Sequence, residues 1–175
     1  MSILKVARMG HPVLRAAARP LDKSEIRSGA VQQLIDDMIE TMAEYHGVGL
    51  AAPQVHESLR LFVAALDHDG EEDAGREPVV VINPQLVVVG QDVVEDWEGC
   101  LSIPDIRGRV PRARQIQLRA VDRTGAAFTI DAQNFQARVI QHETDHLDGV
   151  LFFDRMRSFD SLTFLEEYSR YWVKD

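Results

Sequence analysis

Two histidines four residues apart give the strongest chemical signal in the chain. They are His142 and His146 of the segment QHETDH, and Glu143 directly follows the first of them. On a helix this spacing places both imidazoles on one face, where they can hold one metal ion, and the glutamate can reach a water beside that metal. A solvated helix with two surface histidines is the alternative. However, the two histidines continue an apolar stripe along the predicted helix, so we expect them to face inward. The stripe consists of Phe135, Val139, His142 and His146.

The single cysteine of the chain is the candidate for a third ligand. Two histidines alone leave a catalytic metal short of one protein ligand. Cys100 offers a thiolate, which suits borderline and soft divalent metals, and the adjacent Gly99 allows a sharp backbone turn. A buried cysteine that only fills space is the alternative. Because a lone cysteine cannot form an internal disulfide, we expect a reducing compartment, the cytoplasm.

Small residues dominate the segment GVGLAAPQ, which begins at Gly47 and ends at Gln54. Glycine permits the close approach of another backbone, so Gly47, Val48 and Gly49 can line a substrate cleft. The amide of Gln54 can donate a hydrogen bond to an oxygen that gains negative charge during a reaction. The same segment is equally consistent with a loop that follows a helix and ends in a surface glutamine.

The three segments occur in the order GVGLAAPQ, EGCLS and QHETDH, and together they resemble the three signature motifs of the peptide deformylase family. Each segment matches its motif without a gap. The resemblance extends from HPVLR at residues 11–15 to LFFDR at residues 151–155, which is nearly the whole chain. It implies a metal-dependent hydrolase that removes the formyl group from the N-terminal formylmethionine of newly synthesised polypeptides and releases formate.

The resemblance implies a set of metal ligands. By motif position, Cys100, His142 and His146 would bind the metal. In this family the metal is usually iron(II), although the ligands alone favour zinc. Zinc, nickel or cobalt could replace iron in the purified protein.

The resemblance also implies how the reaction is catalysed. Glu143 would take a proton from the attacking water as general base and pass it to the leaving amide nitrogen as general acid. The side chain of Gln54 and the backbone N–H of Leu101 would stabilise charge on the formyl oxygen. We also expect Glu98 to pair with Arg112 and brace the cysteine loop.

An apolar pocket for the substrate's methionine is expected beside the metal. Arg107 resembles a family residue that contacts the peptide main chain. Arg138 stands where an aliphatic residue is also seen in the family, so we expect its hydrocarbon stem to line the pocket and its guanidinium to reach water. The other expected walls, to which Leu101 can add, are Val48, Phe135 and Val139.

Two alternative functions use part of the same pattern. An H-E-x-x-H helix is also the signature of zinc metallopeptidases, but their third ligand is usually a downstream glutamate or histidine, whereas Cys100 lies upstream. The other alternative is a non-catalytic deformylase-like protein that binds metal or the ribosome. The intact ligands and Glu143 argue against it.

Periodicity indicates which elements position these residues. Spacings of three and four predict a helix over residues 24–45 and another over residues 133–147, and the last residues, 158–175, predict one short helix. Residues 67–78 are predicted as an exposed hairpin loop. Consecutive hairpins predict an α+β fold, with antiparallel sheets packed around a central metal-binding helix, in a single domain over residues 1–175. The predicted strands cover residues 59–66, 79–83, 85–90, 115–122 and 126–131.

Charge and hydrophobicity limit the partners of the chain. With 19 basic and 28 acidic residues, the net charge is −9, which opposes stable binding to nucleic acid or anionic lipid. Six arginines between residues 107 and 123 are interpreted as a solvated sheet face rather than an RNA site. No apolar run approaches the roughly 20 residues that a membrane-spanning helix needs. Because the C-terminal tail is not rich in lysine, we expect at most a transient contact with the ribosome.

Overall fold

The computed structural model describes residues 2–66 and 78–173 and contains helices and two antiparallel sheets. The predicted loop at residues 67–78 therefore lies, except for Pro78, outside the described residues. The helices are α1 Lys23–Ile26, α2 Gly29–Glu44, α3 Asn134–Leu147 and α4 Leu165–Tyr171. The strands are β1 Gly49–Ala51, β2 Leu61–Ala64, β3 Val79–Val88, β4 Val93–Cys100, β5 Ile103–Ala113, β6 Gln115–Val121, β7 Ala127–Gln133 and β8 Thr163–Phe164.

The two sheets lie on either side of helix α3. One sheet has five strands in the order β1-β2-β3-β6-β7, and the other has three in the order β4-β5-β8. Helix α3 contacts β1 and β2 of the first sheet and β5 of the second. The predicted α+β fold with antiparallel sheets around a central helix is thereby confirmed.

Apolar side chains on the buried face of helix α3 pack it against the larger sheet. Ala137, Ile140 and Leu147 are fully buried in a core cluster that includes Phe62 and Leu118 of the larger sheet. Two residues past the helix, Gly149 has a φ of +73°, and a Cβ there would lie 2.7 Å from the carbonyl oxygen of Arg15. Glycine is therefore required at the point where the chain turns away.

The predicted first helix is two helices rather than one. Asp22 caps α1 with a capping box that includes Glu25, so this helix begins before residue 24, where the predicted helix starts. Ser28 starts α2 by accepting a hydrogen bond from the N–H of Val31. Helix α2 ends at Glu44, one residue before the predicted end, and His46 has left-handed backbone with a φ of 53°.

The predicted strands are present, two of them merged into one, whereas the strands β1, β4, β5 and β8 were not predicted. The two strands predicted around Asn83 are a single strand, β3, whose register shifts between Ile82 and Gln85, where Asn83 has a φ of 51° and Pro84 has no N–H to donate. The long hairpin of β4 and β5 was not predicted from the sequence, although it carries Cys100. The short helix predicted near the C-terminus is α4. Within the described residues, no helix is long and apolar enough to cross a membrane.

Candidate active site

The three predicted metal ligands meet between helix α3 and the end of strand β4. The rings of His142 and His146 lie one helical turn apart, with centroids separated by 4.9 Å. One ligand atom from each histidine and the Sγ of Cys100 all lie within 4.8 Å of one another. Cys100 Sγ lies 3.3 Å from His146 Nε2. A cysteine and two histidines at these separations match the donor set of a catalytic site for a borderline divalent metal.

The orientation of His142 is fixed by Glu98. The carboxylate oxygen Oε2 of Glu98 lies 2.9 Å from His142 Nδ1. Although burial opposes ionisation of this carboxyl group, hydrogen bonds and charges from His142 and Arg112 lower its pKa to about 2. Glu98 is therefore a carboxylate, which can only accept, so Nδ1 of His142 donates and Nε2 remains for a metal.

The charges at the site favour a bound cation. Burial opposes ionisation of Cys100, but His146 and His142 hold the pKa of the thiol well below its usual value, which favours the thiolate form. Burial would lower the pKa of His142, yet Cys100 and Glu98 raise it well above its usual value. The thiolate and the carboxylate therefore create a negative potential at the point where the ligand atoms converge.

A buried ion-pair network braces the cysteine-bearing hairpin against helix α3. Arg112 donates to both oxygens of Glu98 at 2.8 and 3.0 Å, as predicted, and to Asp145 at 2.6 Å. Arg155 donates to the same Asp145 at 2.7 and 3.1 Å. Arg112 is only 5% exposed, so it does not lie on a solvated sheet face. The interpretation of the six arginines between residues 107 and 123 as such a face is therefore wrong for Arg112.

Arg138 departs from the expectation drawn from the sequence. The residue lines the cleft, but it is 6% exposed and its guanidinium does not reach water. Instead it donates to Glu98 Oε1 at 2.8 Å, to the carbonyl of Val110 at 2.8 Å and to the carbonyl of Val94 at 2.7 Å. The five N–H groups of the guanidinium serve these three acceptors and, at 3.4 Å, the carbonyl of Asp96, so the whole side chain stays buried.

Glu143 faces the site from the helix turn that carries the histidines. Its side chain is buried, and its Oε2 is one of few buried side-chain atoms in the described parts of the chain that have no hydrogen-bond partner. Burial raises the pKa of its carboxyl group against the opposing charges of His142 and His146. A Cβ at Gly49 would lie 2.3 Å from Glu143 Oε1, so glycine at that position makes room for the carboxylate.

Gln54 is buried beside Cys100, so the alternative of a surface glutamine is wrong. It lies on a 3₁₀ helix, Ala52–Val55, that follows strand β1. Its Oε1 accepts a hydrogen bond from the N–H of Ala51 at 2.8 Å. Its Nε2 then lies 3.5 Å from Cys100 Sγ and 3.2 Å from Ser102 Oγ. The bond from Ala51 thus orients the amide, and the donor end points toward the metal ligands.

A cleft of about 640 Å³ opens over these groups. Val139 is buried in its wall, while Val48 and Phe135 are about half exposed at its mouth. His146 lies behind Cys100 and does not line the cleft, whereas the other predicted site residues do, namely Gly47, Val48, Gly49, Gln54, Cys100, Leu101, Arg107, Phe135, Arg138, Val139, His142 and Glu143.

Sequence reasoning missed several residues of the cleft. Trp97 precedes the EGCLS motif by one residue, and Leu165 lies on helix α4, far beyond the last motif. Neither residue type carries a chemical signature, so only the three-dimensional arrangement reveals them. Others that the sequence did not indicate are Lys5, Val6, Arg8, Tyr45, His46, Pro104 and Asp105.

Comparison with known proteins gives one consistent result. Residues 3–161 match the model of the polypeptide deformylase family. The chain is 42% identical to peptide deformylase 2 of Nostoc sp. over 99% of this chain and 97% of that protein, and 44% identical to a peptide deformylase of Salinibacter ruber over 90% and 82%.

Solved structures give the same answer. A class I type b peptide deformylase of Acinetobacter baumannii bound to Met-Ala-Ser superposes with a TM-score of 0.81 at 38% identity, covering 89% of this chain and all of the other. A peptide deformylase of Thermotoga maritima superposes with the same TM-score at 37% identity, covering 90% of this chain and all of the other.

Proposed function

The chain belongs to the polypeptide deformylase family, a family of hydrolases that remove the N-terminal formyl group, and we propose that Cys100, His142 and His146 hold its catalytic metal while Glu143 moves the protons. One observation carries this proposal. A cysteine and two histidines lie together beside a buried carboxylate oxygen without a partner, and Cys100, His142 and Glu143 of this group line one cleft. Family membership disfavours both alternatives, the zinc metallopeptidase and the non-catalytic binding protein.

We propose iron(II) as the metal in the cell. The donor set of one thiolate and two imidazoles also suits zinc, nickel and cobalt, so the preference for iron comes from the family. A divalent metal at this position would supply Lewis-acid activation of the formyl oxygen and of the attacking water. Metal analysis of protein purified without oxygen tests the assignment, and zinc as the only metal present would contradict it.

Glu143 is suited to carry the proton between the two halves of the reaction. Its carboxylate takes a proton from the attacking water and gives it to the amide nitrogen when the C–N bond breaks, leaving formate and a free amino terminus. Burial raises the pKa of this carboxyl group, which makes it a stronger base than an exposed glutamate. The unpartnered Oε2 is free to receive the proton.

Gln54 and Leu101 are proposed as the donors that stabilise the tetrahedral intermediate. The Nε2 of Gln54 lies beside Cys100, where it can donate to the formyl oxygen as negative charge develops. The backbone N–H of Leu101 is proposed as the second donor, since this residue directly follows Cys100 and lines the cleft.

The remaining cleft residues are proposed to bind the formyl-methionyl peptide. Val48, Phe135 and Val139 form an apolar region beside the metal ligands that suits a methionine side chain. Arg107 is proposed to bind the peptide main chain, together with the glycine-containing segment from Gly47 to Gly49. The related structure from Acinetobacter baumannii, which is bound to Met-Ala-Ser, supports a peptide ligand that begins with methionine.

The substrates are proposed to be formyl-methionyl nascent chains in the cytoplasm, with at most transient contact with the ribosome. A cytoplasmic location is supported by the single cysteine, which must remain reduced to serve as a ligand. The net charge of −9 argues against stable association with ribosomal RNA. Sedimentation of the protein with translating and empty ribosomes at physiological salt measures this contact, and stoichiometric binding would contradict it.

Release of formate from formyl-Met-Ala-Ser is the direct test. Protein loaded with iron(II) without oxygen should release formate from this peptide but no acetate from acetyl-Met-Ala-Ser. Glu143→Gln should retain one equivalent of metal and lose about 10²- to 10⁴-fold in kcat, the usual effect of removing a general acid–base group. A fully metal-loaded wild type without formate release would favour the non-catalytic alternative, and an active Glu143→Gln variant would remove Glu143 from the mechanism.

A further inference from the structure

The N-terminal strap, residues 2–9, makes main-chain hydrogen bonds to both sides of the proposed active site. The N–H of Ala7 donates to the carbonyl of Gln54 at 2.7 Å. The N–H of Met9 donates to the carbonyl of Ser102 at 2.8 Å. The strap therefore holds the main chain of one proposed donor to the formyl oxygen and the main chain directly beside the other.

These two hydrogen bonds join parts of the fold that no strand pairing joins. Gln54 follows strand β1 of the larger sheet, whereas Ser102 lies between strands β4 and β5 of the smaller sheet. Among the described residues, no strand of one sheet pairs with a strand of the other. Two residues of chain span at most about 7 Å, so the step from Ala7 to Met9 limits how far the two carbonyls can separate.

The side chains of the two bound residues also meet. Nε2 of Gln54 donates to Oγ of Ser102 at 3.2 Å, and both residues are buried. The strap, Gln54 and Ser102 thus form a closed ring, with two main-chain hydrogen bonds and one side-chain hydrogen bond. A shift of either main chain in this ring displaces the amide of Gln54. Misplacement of a catalytic group by about 1 Å can cost about 10²-fold in rate.

The strap is itself fixed along its length. The N–H of Leu4 donates to Oγ1 of Thr41 on helix α2 at 2.8 Å. Ala7 is only 2% exposed and belongs to the core cluster that contains Cys100. Just past the strap, the chain turns at Gly10, whose φ of +102° favours glycine. The two N–H groups that bind Gln54 and Ser102 are therefore held in place from both ends.

We propose that the N-terminal strap is a positioning element of the catalytic site, which places the Gln54 amide relative to the turn that carries Leu101. The proposal rests on the proposed function, because it takes Gln54 and Leu101 as the donors to the formyl oxygen. The N–H groups of Ala7 and Met9 are occupied by carbonyls, so they act through the donors and not on the substrate. Loss of either hydrogen bond should therefore lower turnover and leave substrate and metal binding intact.

Exchange of a single main-chain N–H for oxygen tests the strap without changing a side chain. Ala7→lactic acid, introduced at a suppressed stop codon, replaces the N–H that binds Gln54 and keeps the methyl group. The kcat for formyl-Met-Ala-Ser should fall about 3- to 30-fold, because one hydrogen bond that holds a catalytic donor is lost. KM should stay within about twofold of wild type, and the metal content should stay at one equivalent.

The matched control is the same exchange at Ile3, with the hydroxy acid of isoleucine. Ile3 belongs to the same strap, is 46% exposed and does not line the cleft. Its N–H makes no hydrogen bond within residues 2–66 and 78–173. This variant should keep the wild-type kcat, so an equal fall in both variants would assign the effect to the ester itself and overturn the proposal.

The Gln54→Ala background separates positioning from a general loss of structure. If the strap acts through the amide, Ala7→lactic acid should lower kcat by less than about twofold once the amide is absent. Two independent effects would instead multiply. An undiminished effect in the Gln54→Ala background would overturn the positioning role, and so would a wild-type kcat for Ala7→lactic acid alone.

A second variant avoids the buried position of Ala7. Met9 is 53% exposed, so exchange of its N–H for oxygen, with the hydroxy acid of methionine, tests the contact with Ser102 at an exposed residue. Its kcat should fall by a similar factor, and an unchanged kcat would overturn the proposal. Formate release by the wild type reports on the proposed function separately. Its absence would contradict the proposed function, whereas an active wild type with fully active ester variants would contradict only the strap.

Discussion

Arg138 Nη1 donates to Oε1 of Glu98 at 2.8 Å, while the other oxygen of the same carboxylate binds His142 Nδ1 at 2.9 Å. Arg138 precedes His142 by one helical turn, so the helix that carries the histidine also supplies part of its support. The same guanidinium binds the carbonyls of Val94 and Val110. Arg138 thereby joins helix α3 to both strands of the hairpin that presents Cys100.

Replacing Arg138 with Met should destabilise the protein, because it removes one partner of the buried Glu98 and the side-chain donor to the carbonyls of Val94 and Val110. We expect the free energy of unfolding to fall by about 2–4 kcal/mol. Arg138→Lys should recover less than half of the loss, since an ammonium cannot serve three acceptors with the geometry of the guanidinium fork. Urea denaturation of the metal-free proteins measures the difference.

The control for Arg138 is a surface arginine with an acidic partner. Arg170 pairs with Glu166 at 3.1 Å, and both side chains are more than half exposed. Arg170→Met should change the free energy of unfolding by less than about 0.5 kcal/mol. If Arg138→Met proves as mild as this control, the guanidinium does not hold the hairpin to the helix.

Replacing Cys100 with Ala should abolish tight metal binding, because two histidines leave the site one protein ligand short. Loss of a partner that only orients a ligand weakens binding by about 10- to 100-fold, so loss of the ligand itself should exceed about 10²-fold. Competition with a chromogenic chelator gives the affinity, and far-UV circular dichroism confirms the fold. A variant that keeps one equivalent of metal after dialysis against a mild chelator would show that the third ligand is another residue.

A methyl group at Gly49 should displace the carboxylate of Glu143. A Cβ at this position would lie 2.3 Å from Oε1 and 2.7 Å from Cδ of that side chain. Gly49→Ala should therefore lower kcat about 10²-fold through misplacement of the proton carrier, while metal content stays at one equivalent because Glu143 is not a proposed ligand. Steady-state kinetics with metal analysis of the same samples separates the two effects.

Gly29→Ala is the matched control for this substitution. Gly29 lies exposed in the first turn of helix α2, and nothing lies within 4 Å of a Cβ built there. The variant should keep wild-type kcat and gain up to about 1 kcal/mol of stability from the better helix former. A kcat of Gly49→Ala as high as that of Gly29→Ala would mean that Glu143 can move without loss of function.

The helix that carries the histidines could be predicted from the sequence because its signal is local. His142, Glu143 and His146 lie within five residues, and a helix converts that spacing directly into a shared face. Val139, which lies one turn before His142, follows the same period and is buried, which identifies the buried side of the helix. Coordination chemistry made Cys100 a candidate for the third ligand, and the resemblance to the peptide deformylase family favoured that role over a cysteine that only fills space.

The hairpin of β4 and β5 could not be predicted because its charged residues are paired over long sequence separations. Glu98 and Arg112 interrupt the apolar alternation that marks a strand, yet both are buried. Their burial depends on Asp145 and Arg138, which come 26 or more residues later in the chain. A periodicity argument treats such residues as exposed. The expectation that the guanidinium of Arg138 reaches water likewise left out partners that are distant in the sequence.

Gln54 supports the last prediction, because its orientation is already fixed before a substrate binds. Its Oε1 accepts from the N–H of Ala51 at 2.8 Å, so Nε2 is the end that lies 3.5 Å from Cys100 Sγ. A fixed N–H donor gains interaction energy as charge moves onto the formyl oxygen, so it should stabilise the tetrahedral intermediate more than the planar substrate.

Gln54→Ala should lower kcat about 10²- to 10³-fold and leave KM and metal content within about threefold of wild type. Gln54→Glu should be at least as damaging, because it replaces the donor with an acceptor and places a second negative charge beside the thiolate of Cys100. It also keeps an oxygen for the N–H of Ala51, so it preserves the local backbone better than alanine does. Kinetics on formyl-Met-Ala-Ser, with metal occupancy measured in each sample, separates the roles: a change confined to KM in both variants would assign Gln54 to substrate positioning and remove it from stabilisation of the intermediate.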